Sequence, residues 1–408
     1  MVIALIIDRF DSNNNANIKI ALNIARQLSR EHQVYVYGQH DCSSNGLANC
    51  EYEDNDCIFY AYEAKFAKKV YEVKKSLEGK GRIKTLGVLL RHLDVVCCVV
   101  LNRILYFLTE NTFEMYSTRK NLTEFVEKKH VQVLIAFTEP KDTIKEIIKI
   151  KNVKKIWYQL DPYSFNVYEK NKNRSRRHEE KFIKGVDYSF VTKQIYDEYS
   201  KCALQKYIDK LRVVQFPNLV KFTDLKNEAV FSRERINCVF AGTFYSGIRN
   251  PDFLLELFSK MTNSDIILHL YGGGCEEQVK SYAEKTPDRL LAHGRVSLDD
   301  TNLIIRQADI LVSLNNTNAN QMPSKIIEYI STGLPIINIC KIKDCPTLKV
   351  LNKYPLVYNI FEEEPVDISS IEKFICENVG KRIEWDYLFK EYYEYTPEAV
   401  GGEIEKVL

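Results

Sequence analysis

The segment at residues 320–337, NQMPSKIIEYISTGLPII, places a lysine and a glutamate one helical turn apart among apolar residues. Its isoleucines recur at helical spacing, which predicts an amphipathic helix with one buried face. Pro323 suits the start of a helix, and Gly333, shortly before a proline, predicts a left-handed cap at its end. Lys325 and Glu328 therefore lie near the start of a short helix.

The start of this helix is suited to binding an anion. Ser324 and Lys325 occupy the first turn, where backbone N–H groups and the helix dipole favour negative charge. Glu328 follows Ser324 by four residues and lies on the same face, where its carboxylate can accept hydrogen bonds from a pair of ribose hydroxyls. The combination predicts a nucleotide diphosphate. The alternative is a surface ion pair of Lys325 and Glu328, worth roughly 0.2–0.5 kcal/mol.

Other loops of the same half could contribute to such a site. Arg249 follows the apolar run VFAG, and a triglycine at 272–274 follows the run LHLY, where a ligand could approach the backbone. The carboxyl ends of parallel strands meet at one edge of a sheet, which is where such folds bind ligands. The polar loop 315–322 leads into the helix. A triglycine is as often a tight turn, and a loop arginine is as often only solvated.

Composition excludes several classes of protein. The chain has 408 residues, enough for two domains, and its 45% hydrophobic and 27% charged content is typical of a soluble globular protein. A net charge of +2 argues against a dedicated nucleic-acid binder. No apolar run reaches the roughly 20 residues that span a bilayer. The eleven cysteines include no CxxC pair and no zinc-type spacing, which predicts reduced thiols in a cytoplasmic protein and no metal site.

Positive charge is concentrated in one part of the chain. Residues 65–103 contain ten lysines or arginines against three acids, and residues 93–108 are largely apolar. A basic helix followed by an apolar helix is typical of proteins that lie on an anionic membrane surface, here the inner face of the cell membrane. The other interpretation is a solvated basic helix packed over a core helix, and both stay open.

Short apolar runs alternate with amphipathic stretches along the whole chain, which predicts an α/β fold with parallel sheets. Strands are predicted at 2–8, 33–38, 131–137, 154–160, 188–192, 211–216, 236–242, 266–274, 290–296, 309–315 and 335–340. We therefore predict two doubly wound, Rossmann-like domains facing a cleft that binds ligands. The predicted parts are a first domain at 1–220 with a basic and apolar insertion at 65–108, a linker at 221–235, a second domain at 236–385 and a terminal segment at 386–408.

Four blocks of the second domain, in order, resemble the nucleotide-sugar-binding half of GT-B glycosyltransferases of the retaining family 4, capsule or exopolysaccharide type. They are VFAGTFYSGIRNPDFLLELF, LHLYGGGCEEQVKSYA, LLAHGRVSLDDTNLIIRQADILVSLNN and MPSKIIEYISTGLPII. VVQFPN before the linker and NIKIALNIARQL after the first strand are also similar to that family. The resemblance implies the GT-B fold and a terminal helix that returns to the first domain.

The resemblance also implies roles for single residues. Arg249 would contact the donor diphosphate, Glu328 would hold the ribose, and the backbone at 293–296 would face the base. Asn320 stands where the family has a first glutamate, near the transferred sugar. We predict Arg249, Lys325 and Asn320 as catalytic residues. The predicted donor-binding residues are Glu328, Ser324, Met322, Gln321, Thr243, Gly242, Gly273, Arg295, Val296, Asn15 and Asp161.

Besides Asn320, three positions depart from the family pattern. Thr243 stands in place of a basic residue, Asn15 begins a dipeptide that is Gly-Gly in many relatives, and Gln159 stands near a position where a histidine often precedes the aspartate. Loss of the basic residue would reduce the positive charge at the donor site. We interpret these departures as a subfamily trait, with Lys325 supplying the missing charge.

The implied activity is metal-independent transfer of a sugar, with retention of configuration, from a nucleotide diphosphate sugar to an acceptor hydroxyl. A UDP-sugar is the expected donor, and a saccharide or lipid-linked saccharide the expected acceptor; no cofactor or nucleic acid is expected. One alternative is a degenerate GT-B subunit that binds a sugar nucleotide or a partner glycosyltransferase without turnover. Another is a nucleotide-sugar 2-epimerase, which would need histidines and carboxylates grouped in the cleft, and the seven histidines show no pairing in the sequence.

Overall fold

The structure of the chain is a computed structural model. It describes residues 1–9, 16–39, 50–54, 57–62, 69, 72–73, 75–76, 92–109, 113–137, 143–159, 163–165, 169, 171–222, 230–317 and 322–408. Most of the predicted basic insertion therefore lies outside the described residues, as does the middle of the predicted linker. Two compact units are present, Met1–Gln215 with Gly401–Leu408, and Phe216–Val400.

The first unit is an α/β domain. Its strands are β1 (Val2–Arg9), β2 (Gln33–Gln39), β3 (Cys50–Asp54), β4 (Cys57–Tyr62), β5 (Val133–Ala136), β6 (Lys154–Tyr158), β7 (Tyr188–Val191) and β8 (Leu211–Val213). They form one sheet in the order β3-β4-β2-β1-β5-β6-β7-β8, in which β3 pairs antiparallel with β4 and the other pairs are parallel. Its helices are α1 (Ala16–Leu28), α2 (Leu93–Thr109), α3 (Phe113–Lys129), α4 (Thr143–Ile147), α5 (Lys172–Gly185) and α6 (Lys193–Ser200), followed by a 3-10 helix (Ala203–Lys210).

The second unit contains a six-stranded, fully parallel sheet. Its strands are β9 (Ile236–Ala241), β10 (Ile266–Tyr271), β11 (Leu290–Gly294), β12 (Ile310–Leu314), β13 (Ile336–Cys340) and β14 (Val357–Phe361), in the order β11-β10-β9-β12-β13-β14. Its helices are α7 (Asp252–Ser259), α8 (Glu276–Lys285), α9 (Leu298–Gln307), α10 (Lys325–Thr332), α11 (Pro346–Leu351), α12 (Ile368–Asn378) and α13 (Trp385–Glu391). A 3-10 helix (Tyr393–Tyr395) and α14 (Pro397–Glu405) complete the chain. Among the described helices, none combines the length and hydropathy needed to cross a membrane.

The predicted strands are confirmed, with bounds that differ by a few residues. Three strands were missed. The edge strands β3 (CEYED) and β14 (VYNIF) mix polar and apolar residues, so neither has the continuous apolar run that marks a buried parallel strand. Strand β4 (CIFYAY) is an apolar run that was nevertheless missed. The order of elements, two successive parallel-sheet α/β units, is the one that the sequence predicts.

The end of the chain belongs to the first unit. Glu405 accepts a hydrogen bond from His32 Nε2 at 2.9 Å, and Lys154 Nζ donates to the carbonyl oxygens of Val407 and Leu408 at 2.8 and 2.7 Å. Within the described part of the chain, Glu31, His32 and Glu405 are also the one group whose ligand atoms are close enough to hold a metal ion. The hydrogen bond between His32 and Glu405 accounts for two of these three residues without a metal.

Two histidines of the second sheet form a hydrogen-bonded pair, which the sequence did not predict. His269 Nδ1 lies 3.0 Å from His293 Nε2, and His269 Nε2 lies 3.1 Å from Asn237 Oδ1. The amide nitrogen of Asn237 faces acceptor oxygens, including Asp309 Oδ2, so its Oδ1 must accept from His269. Burial, with a smaller effect of His293, lowers the pKa of His269 to about 4, and burial also lowers the pKa of His293. Both rings are therefore neutral at pH 7.

The glycine that ends α10 supplies the first prediction. Gly333 has φ of 72°, and a Cβ there would lie 2.5 Å from the carbonyl oxygen of Ile383, whereas Gly380 has φ of 75° and open space around its Cβ position. Gly380→Ala should cost about 1–2 kcal/mol of unfolding free energy through backbone strain alone. Gly333→Ala should cost roughly 1–3 kcal/mol more because the backbone must move. Urea unfolding of both variants measures the difference, and equal losses would contradict the contact.

The buried histidine predicts acid sensitivity. Between pH 6.5 and about 4 the unfolded chain binds a proton on His269 that the native chain does not, so stability is lost as the pH falls through this interval. In His269→Gln the free energy of unfolding should depend less on pH there, by up to about 1.4 kcal/mol per pH unit. Urea unfolding from pH 7 to pH 4.5 tests this, with the exposed His130→Asn as control. The same change of slope in both variants would refute the assignment.

Candidate functional site

The loops after β9, β10 and β11 interlock through glycines at the carboxyl edge of the second sheet. Phe244 donates its N–H to Gly273 O at 2.8 Å, and Gly272 donates to Gly294 O at 2.7 Å. Gly272 has φ of 136°, and a Cβ there would lie 1.7 Å from Gly242 O. Only glycine allows this approach of two loops, so the triglycine is more than a turn.

Arg295 lies over the middle of the triglycine. A Cβ on Gly273 would come within 2.6 Å of Arg295 Nε, so the guanidinium occupies the space that a side chain would fill. Arg295 is exposed, and Val296 beside it is half-buried. Two predicted donor-binding residues from different loops, Gly273 and Arg295, are thereby in contact.

Arg249 is held by neutral oxygen atoms. Its Nε and Nη2 donate to Asn316 Oδ1 at 3.0 and 2.8 Å, and its Nη1 donates to the carbonyl oxygen of Thr243 at 3.3 Å. A backbone bridge between Tyr245 and Arg249 closes the loop after β9. Thr243 therefore contributes its backbone to the predicted site. Asn316, which the sequence analysis did not single out, joins the loop after β12 to the loop after β9.

The ion pair on α10 is not a surface pair. Lys325 Nζ lies 2.8 Å from Glu328 Oε2, and the Glu328 side chain is only 3% exposed while that of Lys325 is 30% exposed. A buried carboxylate needs a compensating cation, and the partner here is the lysine one turn earlier. The structure replaces the surface-pair alternative with a buried carboxylate next to a partly exposed lysine.

Tyr329 ties α10 to the end of β9. The N–H of Ala241 donates to the Tyr329 hydroxyl at 2.9 Å, where the sheet leaves this N–H without a neighbouring strand. Burial raises the pKa of Tyr329; the bond from Ala241 lowers it, the charge of Glu328 raises it, and that of Arg249 lowers it. Ala241, which is bonded to Tyr329, lies two residues before Thr243, whose carbonyl oxygen accepts from Arg249. The structure therefore brings the two predicted residues Arg249 and Glu328 into one region. The sequence signal for Tyr329 was its place beside Glu328.

The remaining predicted residues divide into two groups. Met322 is buried, and the half-buried Ser324 directly precedes α10 without a capping hydrogen bond from its side chain. Four others lie outside the described residues: Asn15, Asp161, Asn320 and Gln321.

A cavity of about 620 Å³ adjoins the triglycine loop. Its lining is mostly apolar and includes Phe244, Tyr271, Val279 and Leu290, with Gly272–Gly274 along one side. A cavity with apolar walls and exposed backbone at one side suits a planar organic group better than a bare ion.

The first unit contains a buried polar cluster around Glu179. The carboxylate accepts hydrogen bonds from the hydroxyls of Ser164 and Tyr199, and the Tyr199 hydroxyl also lies 2.8 Å from Gln159 Oε1. Burial raises the pKa of Glu179, while the bonds from Ser164 and Tyr199 lower it. Gln159, which departs from the family pattern, is thus hydrogen-bonded within the core of the first unit. No sequence pattern indicated this cluster, because Glu179 stands in a strongly charged helix.

The arrangement in the second unit combines cationic groups, backbone N–H groups and a carboxylate. Arg249, Arg295 and Lys325 can attract an anion, while Glu328 can accept hydrogen bonds from hydroxyls. This set of groups fits a ligand that carries both phosphate and hydroxyls.

Comparison with known proteins agrees with this chemistry. Residues 235–347 match the family of group 1 glycosyl transferases. No curated protein sequence matches the chain significantly.

Solved structures of low sequence identity share the fold. A mutant of S. aureus TarM in complex with fondaparinux, alpha-GlcNAc-glycerol and UDP has 10% identity, a TM-score of 0.63, and coverage of 100% of this chain and 99% of that one. The catalytic domain of Arabidopsis thaliana starch synthase IV bound to ADP and acarbose has 8% identity, a TM-score of 0.61, and coverage of 100% and 98%. Anabaena HepE in complex with UDP-glucose has 10% identity, a TM-score of 0.53, and coverage of 99% and 95%.

The chain therefore has the GT-B fold, and its match to the group 1 glycosyl transferases supports an enzyme that transfers glycosyl groups.

Proposed function

We propose that the chain transfers a sugar from a UDP-sugar to an acceptor hydroxyl, with retention of configuration and without a metal ion. The observation that carries this proposal is Arg249, held by neutral oxygens, in one region with the buried carboxylate of Glu328. A cation for the diphosphate and a carboxylate for the ribose are the groups that a nucleotide diphosphate sugar needs.

Charge stabilisation would carry the reaction. The diphosphate leaves with negative charge, which Arg249, Lys325 and the start of α10 would stabilise in place of a metal. The acceptor's proton passes to the departing diphosphate on the same face of the sugar, so no protein nucleophile is required and configuration is retained. Asn320, as a neutral amide, would hydrogen-bond a hydroxyl of the transferred sugar.

Lys325 would change partner when the donor binds. In the structure it neutralises Glu328 at 2.8 Å. Ribose hydroxyls that donate to Glu328 would take over part of that compensation, and the partly exposed lysine could then turn toward the diphosphate. Lys325 would thus supply the charge that is missing at Thr243.

The base would be bound near the triglycine, where the apolar cavity and the backbone at 293–296 lie. Structural relatives carry different nucleotides, UDP in S. aureus TarM and ADP in the starch synthase, so the fold leaves the base open. The family resemblance is what favours UDP.

The acceptor is proposed to be a saccharide or lipid-linked saccharide of capsule or polysaccharide biosynthesis, bound by the first unit. Helix α2 supports a site at the cytoplasmic membrane face, because Leu93, Val100, Leu101 and Ile104 are each at least 50% exposed and recur at helical spacing. They follow the basic stretch of the sequence, which would attract anionic lipid.

A degenerate subunit remains the second candidate, favoured by Asn320 in place of a glutamate and Thr243 in place of a basic residue. Such a subunit would bind the nucleotide sugar without releasing sugar or transferring it. Release of UDP from a UDP-sugar in the presence of saccharide acceptors separates the two proposals.

Donor binding gives the main test. UDP, GDP, ADP and their sugars should be screened by thermal shift, and we expect one nucleotide to raise the melting temperature of the wild type. Glu328→Ala should lower the affinity for that nucleotide about tenfold or more, because a charge-assisted hydrogen-bond acceptor is removed.

The matched control for this test is Glu146→Ala. Glu146 is also buried and also paired with a lysine three residues away, at 2.8 Å, but in the first unit. The Glu146→Ala variant should have a lower melting temperature, and the nucleotide should still raise that temperature as much as in the wild type. An unchanged shift in Glu328→Ala, or no shift with any nucleotide in the wild type, would reject the proposed donor site.

Membrane contact is tested with vesicles. The wild type should sediment with vesicles of phosphatidylcholine and phosphatidylserine but not with phosphatidylcholine alone. The double variant Leu101→Asp, Ile104→Asp should bind about tenfold less, because it places charge on the apolar face. The control is Val379→Asp, which changes an exposed apolar residue of the second unit. Equal recovery of wild type and double variant with the vesicles would reject the proposal that α2 contacts the membrane.

A further inference from the structure

We infer that Asn316 is a positioning residue for the donor site: its neutral amide holds the Arg249 guanidinium in place without cancelling the positive charge. The inference rests on the proposed function, because it concerns how Arg249 meets the diphosphate. Asn316 was absent from the residues that the sequence indicated.

The contact is a fork. Nε and Nη2 of Arg249 both donate to one oxygen, Asn316 Oδ1, at 3.0 and 2.8 Å. Two bonds from one planar group fix its orientation as well as its place, and a carboxylate is the usual acceptor for such a fork. Here the acceptor is an amide oxygen, and the third bond, from Nη1, goes to another neutral oxygen, Thr243 O.

Asn316 is itself held firmly. It is 3% exposed and follows Asn315, which is fully buried. The Asn315 side chain donates to Asn338 Oδ1 at 2.6 Å and to Ile339 O at 2.9 Å, and its own oxygen accepts from Thr347. The backbone before Asn316 is therefore fixed to the neighbouring strand β13.

The two loops that carry Arg249 and Asn316 are also joined by backbone hydrogen bonds. Thr317 donates its N–H to Ile248 O at 2.9 Å, so the residues next to Asn316 and Arg249 are also bonded to each other. Arg249 also exchanges backbone hydrogen bonds with Tyr245, at 2.8 and 3.2 Å. The guanidinium is thus oriented before any ligand binds, which lowers the entropic cost of binding.

The neutrality of the acceptor has an electrostatic consequence. An aspartate at this position could accept the same two bonds and would hold Arg249 at least as firmly. Its charge, about 3 Å away, would offset that of the guanidinium and repel a diphosphate. Holding the guanidinium in place is thus satisfied by Asp as well as by Asn, whereas the proposed positioning role requires a neutral acceptor.

The experiment compares Asn316→Asp with the wild type for UDP and for uridine. Calorimetry measures the affinity for UDP. Ligand-observed NMR measures the affinity for uridine, which lacks the diphosphate. We expect Asn316→Asp to weaken the binding of UDP about tenfold or more and to leave the binding of uridine unchanged. Asn316→Ala, which removes both bonds of the fork, should also weaken the binding of UDP more than that of uridine.

Each outcome distinguishes the explanations. Asn352→Ala, which changes an exposed amide directly after α11, is the control and should bind both ligands as the wild type does. Wild-type affinity for UDP in Asn316→Asp, or an equal loss for UDP and uridine, would overturn the inference while the proposed function stands. Failure of the wild type to bind UDP or any other nucleotide diphosphate would instead reject the proposed function, and the inference with it.

Discussion

The candidate site depends on one buried charge. Glu328 is only 2% exposed on α10, and an ionised carboxylate in that position is tolerated only with a cation and hydrogen-bond donors. Lys325 supplies the cation from the preceding turn. Docking of α10 against the sheet through Tyr329 buries the carboxylate, and the left-handed glycine at Gly333 ends the helix where the chain must turn into β13.

The cationic side of the site is built on a different principle. Arg249 is oriented by uncharged oxygens, and the loops that surround it approach closely because glycines leave room for backbone and for Arg295. The acceptors Asn316 Oδ1 and Thr243 O carry no charge, whereas Glu328 is paired with the cation of Lys325. Such an asymmetry favours an anionic ligand that also carries hydroxyl groups, and it agrees with the match to the group 1 glycosyl transferases.

Much of the fold was predictable because parallel strands that are buried on both faces appear as continuous apolar runs. All predicted strands were found, and the helix of Lys325 and Glu328 begins two residues after its proline and ends at its left-handed glycine. The edge strands β3 and β14 were missed because they carry mixed residues, whereas β4 was missed although it is an apolar run. The His269–His293 pair was missed for another reason, since the two residues are 24 positions apart in the chain.

By itself, the sequence determined the order of elements, the division into two α/β units and the residue types available for phosphate and ribose. Only the tertiary structure decided that Glu328 is buried, that Arg249 is held by Asn316, 67 positions away, and that Tyr329 reaches Ala241, 88 positions away. Periodicity reports which face of an element is apolar, and it depends on neighbours within a few turns. Burial of a charge and the partner of a guanidinium depend on which distant strands are adjacent in the sheet, which no local pattern records.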